Sequence, residues 1–590
     1  MSLSKYNTRK AYLASMMIFP IFFGLWSLML GQDRNEDLAN YHLYNAFAFL
    51  NDKLNIDFSV GSIQSYFNPI LDLPYFWLIQ NTPPQMVSFF MGTLHGLIYI
   101  PLAIIIKKII FFKANKSHYI VIFLALAGCL TGNFLAGLGN SMGDNLTALI
   151  EIVSFALIIY YWEDINNSSQ KAIVILLFSG LISGAGLALK LSNVPFAMSM
   201  CIALLLSSNT DLKKRFSISL LFGIGVLIGM GIFGGFWYQT MWQKFHNPVF
   251  PLYSNIFPNA FLSFDDYSES QFGPKTIIEY IFFPFVSAFD YHRAGRGLIH
   301  QFIWPLLETL CILILINNFY IRKILIDARE KFLFYFVLFA YLIWMILLSY
   351  QRYIVTIELL TPIVLYLLIS LLNPNKNNWK LIKTIVILSI LITLIGGFGT
   401  FGHSSYKKYA LEAEIPIIEF PEKSSVLMPD KSPIGWLVTL FPKDLAFIRL
   451  NQFKNSFEYT YELLQKRQGK IYAIFSGEYN WREDNINKWN NVLKKLGLLS
   501  SNKACAKLER FIIDIKFRGQ ISHSNNSCYL SIKDNDFIDL DQGNNQRIHD
   551  ARKTIRDHGL ILDENSCKVM KANIGSQNWR YIWCAVSKAQ

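Results

Sequence analysis

Long apolar segments constrain the fold of this chain more than any other feature. About 20 consecutive apolar residues cross a bilayer as a helix. Eleven such segments can be placed, at about 11 to 30, 86 to 106, 118 to 138, 145 to 162, 171 to 189, 191 to 207, 216 to 236, 299 to 320, 333 to 350, 352 to 372 and 380 to 402. Only 16% of the residues are charged, whereas a soluble domain has about 25%. We therefore predict a polytopic α-helical membrane protein with about eleven transmembrane helices.

The basic residues predict the orientation of these helices. The chain has 54 Lys and Arg residues against 41 Asp and Glu residues, a net charge of +13. The basic residues cluster in short loops, where they indicate topology and not nucleic-acid binding. They fall on one side of the membrane if the N-terminus is cytoplasmic. An odd number of helices then places 31–85, 237–298 and everything after about 403 outside the cytoplasm.

The composition divides the chain into two predicted domains. Residues 1–403 form a transmembrane domain with outer loops 31–85 and 237–298. In 404–590 the apolar runs shorten and charged residues become more frequent, which predicts a soluble α/β domain on the outer side. Its predicted strands include 470–475, 511–515 and 581–586, and its predicted helices include 480–499 and 547–559.

The cysteines agree with an outer location of this second domain. Cys129, Cys201 and Cys311 lie in apolar segments, where a buried thiol is expected. The other four lie in the second domain, at positions 505, 528, 567 and 584. On an oxidising side of the membrane they would form two disulfides, and three pairings are possible.

Ionisable residues crowd the start of the first outer loop. Asp33, Arg34, Glu36 and Asp37 follow the first apolar segment directly, and His42 comes shortly after. On a helix Asp33 and Asp37 would share one face. Carboxylates placed in this way can accept a proton from an acceptor hydroxyl or hold a divalent cation. The structural alternative is an acidic helix start that the helix dipole favours.

The same loop continues with an aromatic stretch over residues 62–77. It includes Tyr66 and Asn68, it is interrupted by two prolines, and it is too short to span a bilayer. Tyr and Trp side chains favour the membrane interface. The stretch therefore predicts an interfacial floor beside the carboxylates, where a lipid-borne substrate could dock. A plain surface helix is the alternative.

Three charged positions fall at predicted outer ends of apolar segments. Asp144 starts the fourth segment, where it could also serve only as a helix cap. Lys190 stands alone between the fifth and sixth segments, where it could bind phosphate or only extend towards the interface. Arg352, followed by Tyr353, starts the tenth segment on the side that normally avoids basic residues, which indicates an anionic partner.

The second outer loop adds polar and aromatic residues. Asn247 lies in an Asn-Pro-Val-Phe-Pro sequence, and His292 and Arg293 follow Asp290 and Tyr291. Such residues could bind sugar or phosphate, or form an interfacial belt.

Taken in chain order, these features resemble the GT-C superfamily of integral-membrane glycosyltransferases, which includes protein O-mannosyltransferases, aminoarabinose transferases of lipid A and oligosaccharyltransferases. The shared layout is an acidic first outer loop, an interfacial aromatic helix, an acid at the start of the fourth helix, many spans and an outer terminal domain. The motifs around Asp33 to His42, Tyr66 to Asp72 and Asn247 to Pro251 resemble a bacterial branch of this superfamily. The adjacent Asp-Glu pair of the O-mannosyltransferases is absent, so their acid assignments do not transfer.

The resemblance implies inverting transfer of a sugar from a polyprenyl-phosphate donor. The acceptor would be a lipid, a polysaccharide or a protein at the outer face of a bacterial cytoplasmic membrane. Asp33 would be the general base, with Asp37 as second choice, and Lys190, Arg352, Arg293 and His292 would bind the donor phosphate. Expected substrate contacts are Glu36, His42, Tyr66, Asn68, Asp144, Asn247 and Tyr353. A divalent cation, Mg²⁺ or Mn²⁺, would be needed for a diphosphate donor.

Two other function classes remain open at the sequence level. An O-antigen ligase or polymerase would use a large outer loop rich in Arg and His, and it would not need the acids of the first loop. A lipid or sugar transporter would carry its ionisable groups near mid-membrane in interrupted helices. We predict that the ionisable residues of this chain cluster at the outer face instead.

Overall fold

The structure is a computed structural model. It describes all residues except 1, 114–117, 168, 209, 259–271, 321–325, 373–377, 451, 454–455, 481, 515–516, 518, 525–526 and 589–590. The chain forms two compact units. The first comprises Met1–Leu38 and Tyr66–His403, and the second comprises Ala39–Ser65 and Ser404–Gln590.

The first unit is helical and apolar. Its helices of eight or more residues, apart from short connecting turns, are Ser2–Leu30, Leu73–Asn81, Pro84–Gly96, Tyr99–Lys113, His118–Gly128, Asp144–Tyr160, Gln170–Leu189, Val194–Ser207, Leu212–Phe245, Ile277–Phe289, Ile303–Tyr320, Ala328–Leu347, Thr361–Leu372 and Asn378–Gly396. A single apolar core runs through the unit from Tyr12 to Ile385. The chain is thus a polytopic helical membrane protein with an additional sheet domain, as the sequence predicts.

The number of spans is smaller than eleven when length and composition are applied to the observed helices. Among the described residues, five helices are long and apolar enough to cross a membrane, or six if the bent pair Gln351–Glu358 and Thr361–Leu372 forms one span. All eleven predicted segments contain helix. However, the helices in several of them, such as His118–Gly128 and Leu191–Ser207, are shorter than a full span.

Glycines bring two of the spans into direct backbone contact. The helix Gln170–Leu189 packs along Leu212–Phe245 through Gly180 and Gly184, where a Cβ atom would lie 2.1 Å from a main-chain carbonyl oxygen. Small residues permit such close approach between membrane helices. The contact fixes the helix whose end carries Lys190.

The second unit contains a six-stranded mixed sheet. The strand order is Leu411–Ala413, Leu560–Ile574, Gln577–Lys588, Ile471–Ser476, Ser425–Met428 and Ala446–Arg449. The strands Ser425–Met428 and Ala446–Arg449 pair in parallel, whereas Gln577–Lys588 pairs antiparallel with both neighbours. The unit also contains the helices Leu43–Leu50, Gly435–Val438, Ser456–Lys466, Glu483–Lys495, Asn502–Asp514 and Leu540–Arg556. The sheet confirms the predicted α/β class of this region.

One predicted strand is wrong. Residues 511–514 belong to the helix Asn502–Asp514, and 515 lies outside the described residues. Cys505, Leu508 and Ile512 bury one face of this helix in a small apolar cluster. Their spacing of three and four residues is helical, and it outweighs the short apolar run that indicated a strand.

Residues 39–65 pack with the sheet, whereas the sequence predicts that they belong to the outer loop of the transmembrane domain. The amide of Phe58 donates to the carbonyl of Phe447 at 2.8 Å, and the amide of Arg449 donates to the carbonyl of Phe58 at 2.9 Å. The Arg449 guanidinium is fully buried and donates to the carbonyl of Val60. Because one packed unit lies on one face of a bilayer, segments 39–65 and 404–590 share a compartment.

Two reporter fusions test the predicted orientation of the chain in the membrane. We expect a reporter fused after residue 403 to be active only outside the cytoplasm, and one fused after residue 376, in a basic loop, to be active only inside. Activity of the first fusion inside the cytoplasm would contradict the predicted orientation.

The second unit contains two disulfides, which confirms the predicted oxidised state of the four cysteines outside the apolar segments. Cys505 pairs with Cys528, and Cys567 pairs with Cys584. The first disulfide joins the helix Asn502–Asp514 to the hairpin of Gln520–Ser524 and Ser527–Ser531.

We expect denatured protein purified without reductant to react with thiol reagents at three positions only. These are Cys129, Cys201 and Cys311, which are free thiols in the structure. Mass spectrometry of the alkylated protein, with and without prior reduction, measures this number. Seven reactive thiols before reduction would contradict the pairing.

Candidate active site

An ion pair joins Lys190 to the start of the helix Asp144–Tyr160. The chain turns into this helix at Gly143, whose φ of +79° suits glycine. The Lys190 ammonium group contacts the Asp144 carboxylate and donates to the carbonyl of Met142 at 2.7 Å. Burial lowers the pKa of Lys190, and the negative charge of Asp144 opposes this change.

Arg352 extends this pair to the first outer loop. Its Nη1 atom lies 2.7 Å from Asp37 Oδ2, and its Nε atom lies 3.0 Å from Asp144 Oδ2. Asp37, Arg352, Asp144 and Lys190 thus form a continuous row of alternating charge, here called the ion cluster. Asp37 is the most accessible member, with 22% of its side chain exposed, against 8% for Asp144.

Two tyrosines lie against the cations of the ion cluster. The ring centre of Tyr353 is 5.3 Å from both the Lys190 ammonium nitrogen and the central carbon of the Arg352 guanidinium. Tyr350 lies 5.5 Å from the same guanidinium carbon. Contacts of this kind stabilise a cation by attraction to the aromatic face.

Asp33 occupies a different environment from Asp37. Its side chain is buried, and its carboxylate accepts hydrogen bonds from the amide of Asn35 at 3.0 Å, the side chain of Asn35 at 2.8 Å and the amide of Ser141 at 2.8 Å. These donors hold the loop before Asp144 against the first outer loop. The Asp33 carboxylate is therefore occupied by hydrogen bonds within the protein, whereas that of Asp37 binds Arg352.

The loop Asn140–Gly143 contacts three of the charged residues of the site, although the sequence singles out only Asp144 at its end. Ser141 binds Asp33, the Met142 carbonyl accepts from Lys190, and the Met142 sulfur lies 3.1 Å from Arg352 Nη1. Met142 has no charge, so no residue-type signal marks it. The glycine before Asp144 is the only local sign of the turn.

Three other expected substrate contacts have partners within the protein. The Asn68 amide group donates to the carbonyls of Ala188 and Phe233, and that of Asn247 donates to the carbonyl of Leu252 at 2.8 Å. The Tyr66 ring packs edge-on against those of Phe245 and Phe250. All three side chains are buried.

The remaining predicted residues lie outside the ion cluster. Glu36 is exposed, and so is His292, which stacks on Tyr291. Arg293 binds Glu279 at 2.6 Å and the carbonyl of Gly273 at 2.9 Å. His42 belongs to the second unit, where it is buried beside the ring of Tyr41.

The arrangement does not fit a divalent cation. Among the described residues, no group of three or more His, Cys, Asp or Glu side chains is placed to hold a metal. Asp37 and Asp144 are each neutralised by a basic side chain.

Comparison with known proteins gives no family assignment. No protein-family model and no curated protein matches the chain. Among solved structures, the archaeal oligosaccharyltransferase AglB from Archaeoglobus fulgidus, in complex with an inhibitory peptide and a dolichol-phosphate, is 11% identical with a TM-score of 0.42, over 90% of this chain and 75% of that one. An Archaeoglobus fulgidus oligosaccharyltransferase tethered to an acceptor peptide is 10% identical with a TM-score of 0.40, over 89% of this chain and 74% of that one.

Proposed function

We propose that the chain is a glycosyltransferase of the GT-C type that moves a sugar from a polyprenyl-phosphate donor to an acceptor at the outer face of a bacterial cytoplasmic membrane. The observation that carries the proposal is the ion cluster. Its four members come from distant parts of the chain, and both of its cations touch aromatic rings. Partly exposed Arg and Lys side chains beside carboxylates suit the binding of a phosphate and the transfer of a proton.

The donor phosphate would enter the ion cluster by replacing the Asp37 carboxylate at Arg352. Arg352 already binds one accessible carboxylate, that of Asp37, and a phosphate oxygen is an equally good partner for a guanidinium. Lys190 lies on the far side of Asp144 and supplies a second positive charge. Phosphate binding to Arg352 would release Asp37 from its ion pair.

The released Asp37 would then act as the general base. An acceptor oxygen attacks the anomeric carbon, the bond from that carbon to the phosphate oxygen breaks, and the acceptor proton passes to Asp37. Lys190 and Arg352 stabilise the lipid phosphate that leaves. A single displacement of this kind inverts the anomeric carbon. Asp37 suits this role better than Asp33, whose oxygens accept several hydrogen bonds in a buried site.

The first test is donor binding by purified protein. We expect Lys190→Ala and Arg352→Ala to weaken binding of polyprenyl phosphate as well as sugar transfer, because the phosphate contact exists before and during the reaction. Each hydrogen bond to a charged group contributes about 1.5 to 3 kcal/mol, or roughly 10- to 100-fold in Kd.

Arg552→Ala is the control, because Arg552 forms an exposed ion pair with Glu564 in the second unit. Unchanged donor binding in both site variants would remove the ion cluster from donor recognition.

Mass spectrometry of envelope glycoconjugates from cells with and without the protein would identify the sugar and the acceptor, and a lack of any difference would oppose the proposed activity.

A transporter of lipid or sugar is the second candidate, and one observation favours it. The helices Gln351–Glu358 and Thr361–Leu372 are bent by 56° at a short break, and Glu358 is buried there. Interrupted helices with ionisable groups are typical of transporters. Movement of fluorescent polyprenyl phosphate across proteoliposomes without sugar transfer would favour this candidate.

A further inference from the structure

A small polar cavity lies at the break between the helices Gln351–Glu358 and Thr361–Leu372. Its volume is about 20 Å³, enough for one water-sized species. The polar side chains in its lining are those of Thr131, His300, Gln301, Glu358, Thr361, Ser389 and Thr393. The ion cluster is separate, since none of its four members lines the cavity.

The Glu358 carboxylate is the only acidic group of the lining. It is 3% exposed, and it accepts hydrogen bonds from the amide of Asn133 at 3.2 Å and from the side chain of Gln301 at 3.5 Å. No Lys or Arg in the described part of the chain forms an ion pair with it. A buried carboxylate without a positive partner is costly, so its charge needs a counterion or a proton.

Two hydroxyl groups of the cavity have already donated their protons and offer only lone pairs. Thr361 already donates its proton to the carbonyl of Glu358 at 2.7 Å, and Thr131 donates to the carbonyl of Gly128 at 3.0 Å. Each oxygen keeps lone pairs for a further contact. Ser389 is 7% exposed, and its hydroxyl has no hydrogen-bond partner within the described residues.

We propose that this cavity binds a sodium ion. A carboxylate with several hydroxyl oxygens is a set of hard ligands, and a single carboxylate balances a single positive charge. Breaks in membrane helices are also places where sodium ions bind in other proteins. The proposal does not depend on the proposed glycosyl transfer.

The test measures thermal unfolding of the full-length protein in detergent. NaCl is varied against N-methylglucamine chloride at constant ionic strength and pH. A ligand that binds the folded state raises the Tm with the logarithm of its concentration. We expect such a rise with Na⁺ and a smaller one with K⁺. Equal Tm values in NaCl and N-methylglucamine chloride would overturn the proposal, because they would mean that a proton or water satisfies Glu358.

Variants assign the effect to the cavity. We expect Glu358→Gln to abolish the Na⁺ dependence, and Ser389→Ala to raise the half-effective Na⁺ concentration by about 10- to 100-fold. If Glu358→Gln does not fold, Ser389→Ala carries the test alone. Glu151→Gln is the matched control, since Glu151 is also a buried helical carboxyl group and binds Ser183 at 2.7 Å outside the cavity. A Na⁺ effect that survives intact in Glu358→Gln or in Ser389→Ala, or one that disappears in Glu151→Gln, would refute a sodium site at Glu358.

Discussion

Asp37→Asn is expected to reduce sugar transfer by about 10² to 10⁴, the range that a positioned general base contributes. The amide keeps the size of the side chain, but it cannot accept the acceptor proton. Asp37 is also partly exposed, so the loss should appear in kcat with little loss of folding. The measurement is turnover of a polyprenyl-phosphate sugar by variants purified at wild-type yield.

Asp33→Asn separates catalysis from positioning. The Asp33 carboxylate accepts from the amides of Asn35 and Ser141, one at each oxygen. The asparagine side chain has only one oxygen, so it cannot accept both hydrogen bonds in this way. We therefore expect Asp33→Asn to reduce thermal stability together with activity. Full activity of Asp37→Asn would remove this residue as the base. A loss of turnover in Asp33→Asn at unchanged stability would restore Asp33, the first choice from the sequence.

Asp57→Ala is expected to destabilise the second unit by about 3 to 5 kcal/mol, because it leaves a buried ammonium group without its carboxylate counterion. Lys53 and Asp57 have fully buried side chains, 3.0 Å apart. Burial lowers the pKa of Lys53 and raises that of Asp57, and the attraction between the two side chains opposes both changes. Asp57 also accepts from the amide of Phe447 at 2.8 Å, which joins residues 39–65 to the sheet.

The measurement is the Tm of the full-length protein, together with protease resistance of residues 404–590. The double variant Lys53→Met with Asp57→Asn should recover part of the loss, since neither charge is then buried alone. The control is Lys470→Ala, which breaks an ion pair with Glu419 that is exposed on both sides and should change the Tm little. Equal Tm values for wild type and Asp57→Ala would show that the Lys53–Asp57 pair does not hold residues 39–65 against the sheet.

Much of the candidate site was predictable from residue type and position. Asp37, Asp144, Lys190 and Arg352 each stand beside an apolar segment, where an ionisable group is costly without a partner. The structure joins these four, and the sequence indicated each of them separately. The sequence could not indicate which acid pairs with which base, because the pairing depends on how distant helices pack.

Distant contacts also place side chains in ways that no local pattern indicates. Asn68 and Asn247 resemble substrate contacts by composition, and in the structure their amide groups donate to main-chain carbonyls far along the chain or in the next turn. Every buried carbonyl needs a donor, and only the fold shows which side chain supplies it.

The sequence by itself determined the membrane class, the division near residue 403 and the oxidised state of the cysteines, because these follow from the length of apolar runs and from composition. The tertiary structure decided that residues 39–65 belong with the sheet, that Asp33 is enclosed by hydrogen bonds while Asp37 meets Arg352, and that Glu358 faces a cavity at a helix break. Each of these depends on contacts between residues far apart in the chain, and no local pattern of residues encodes such contacts.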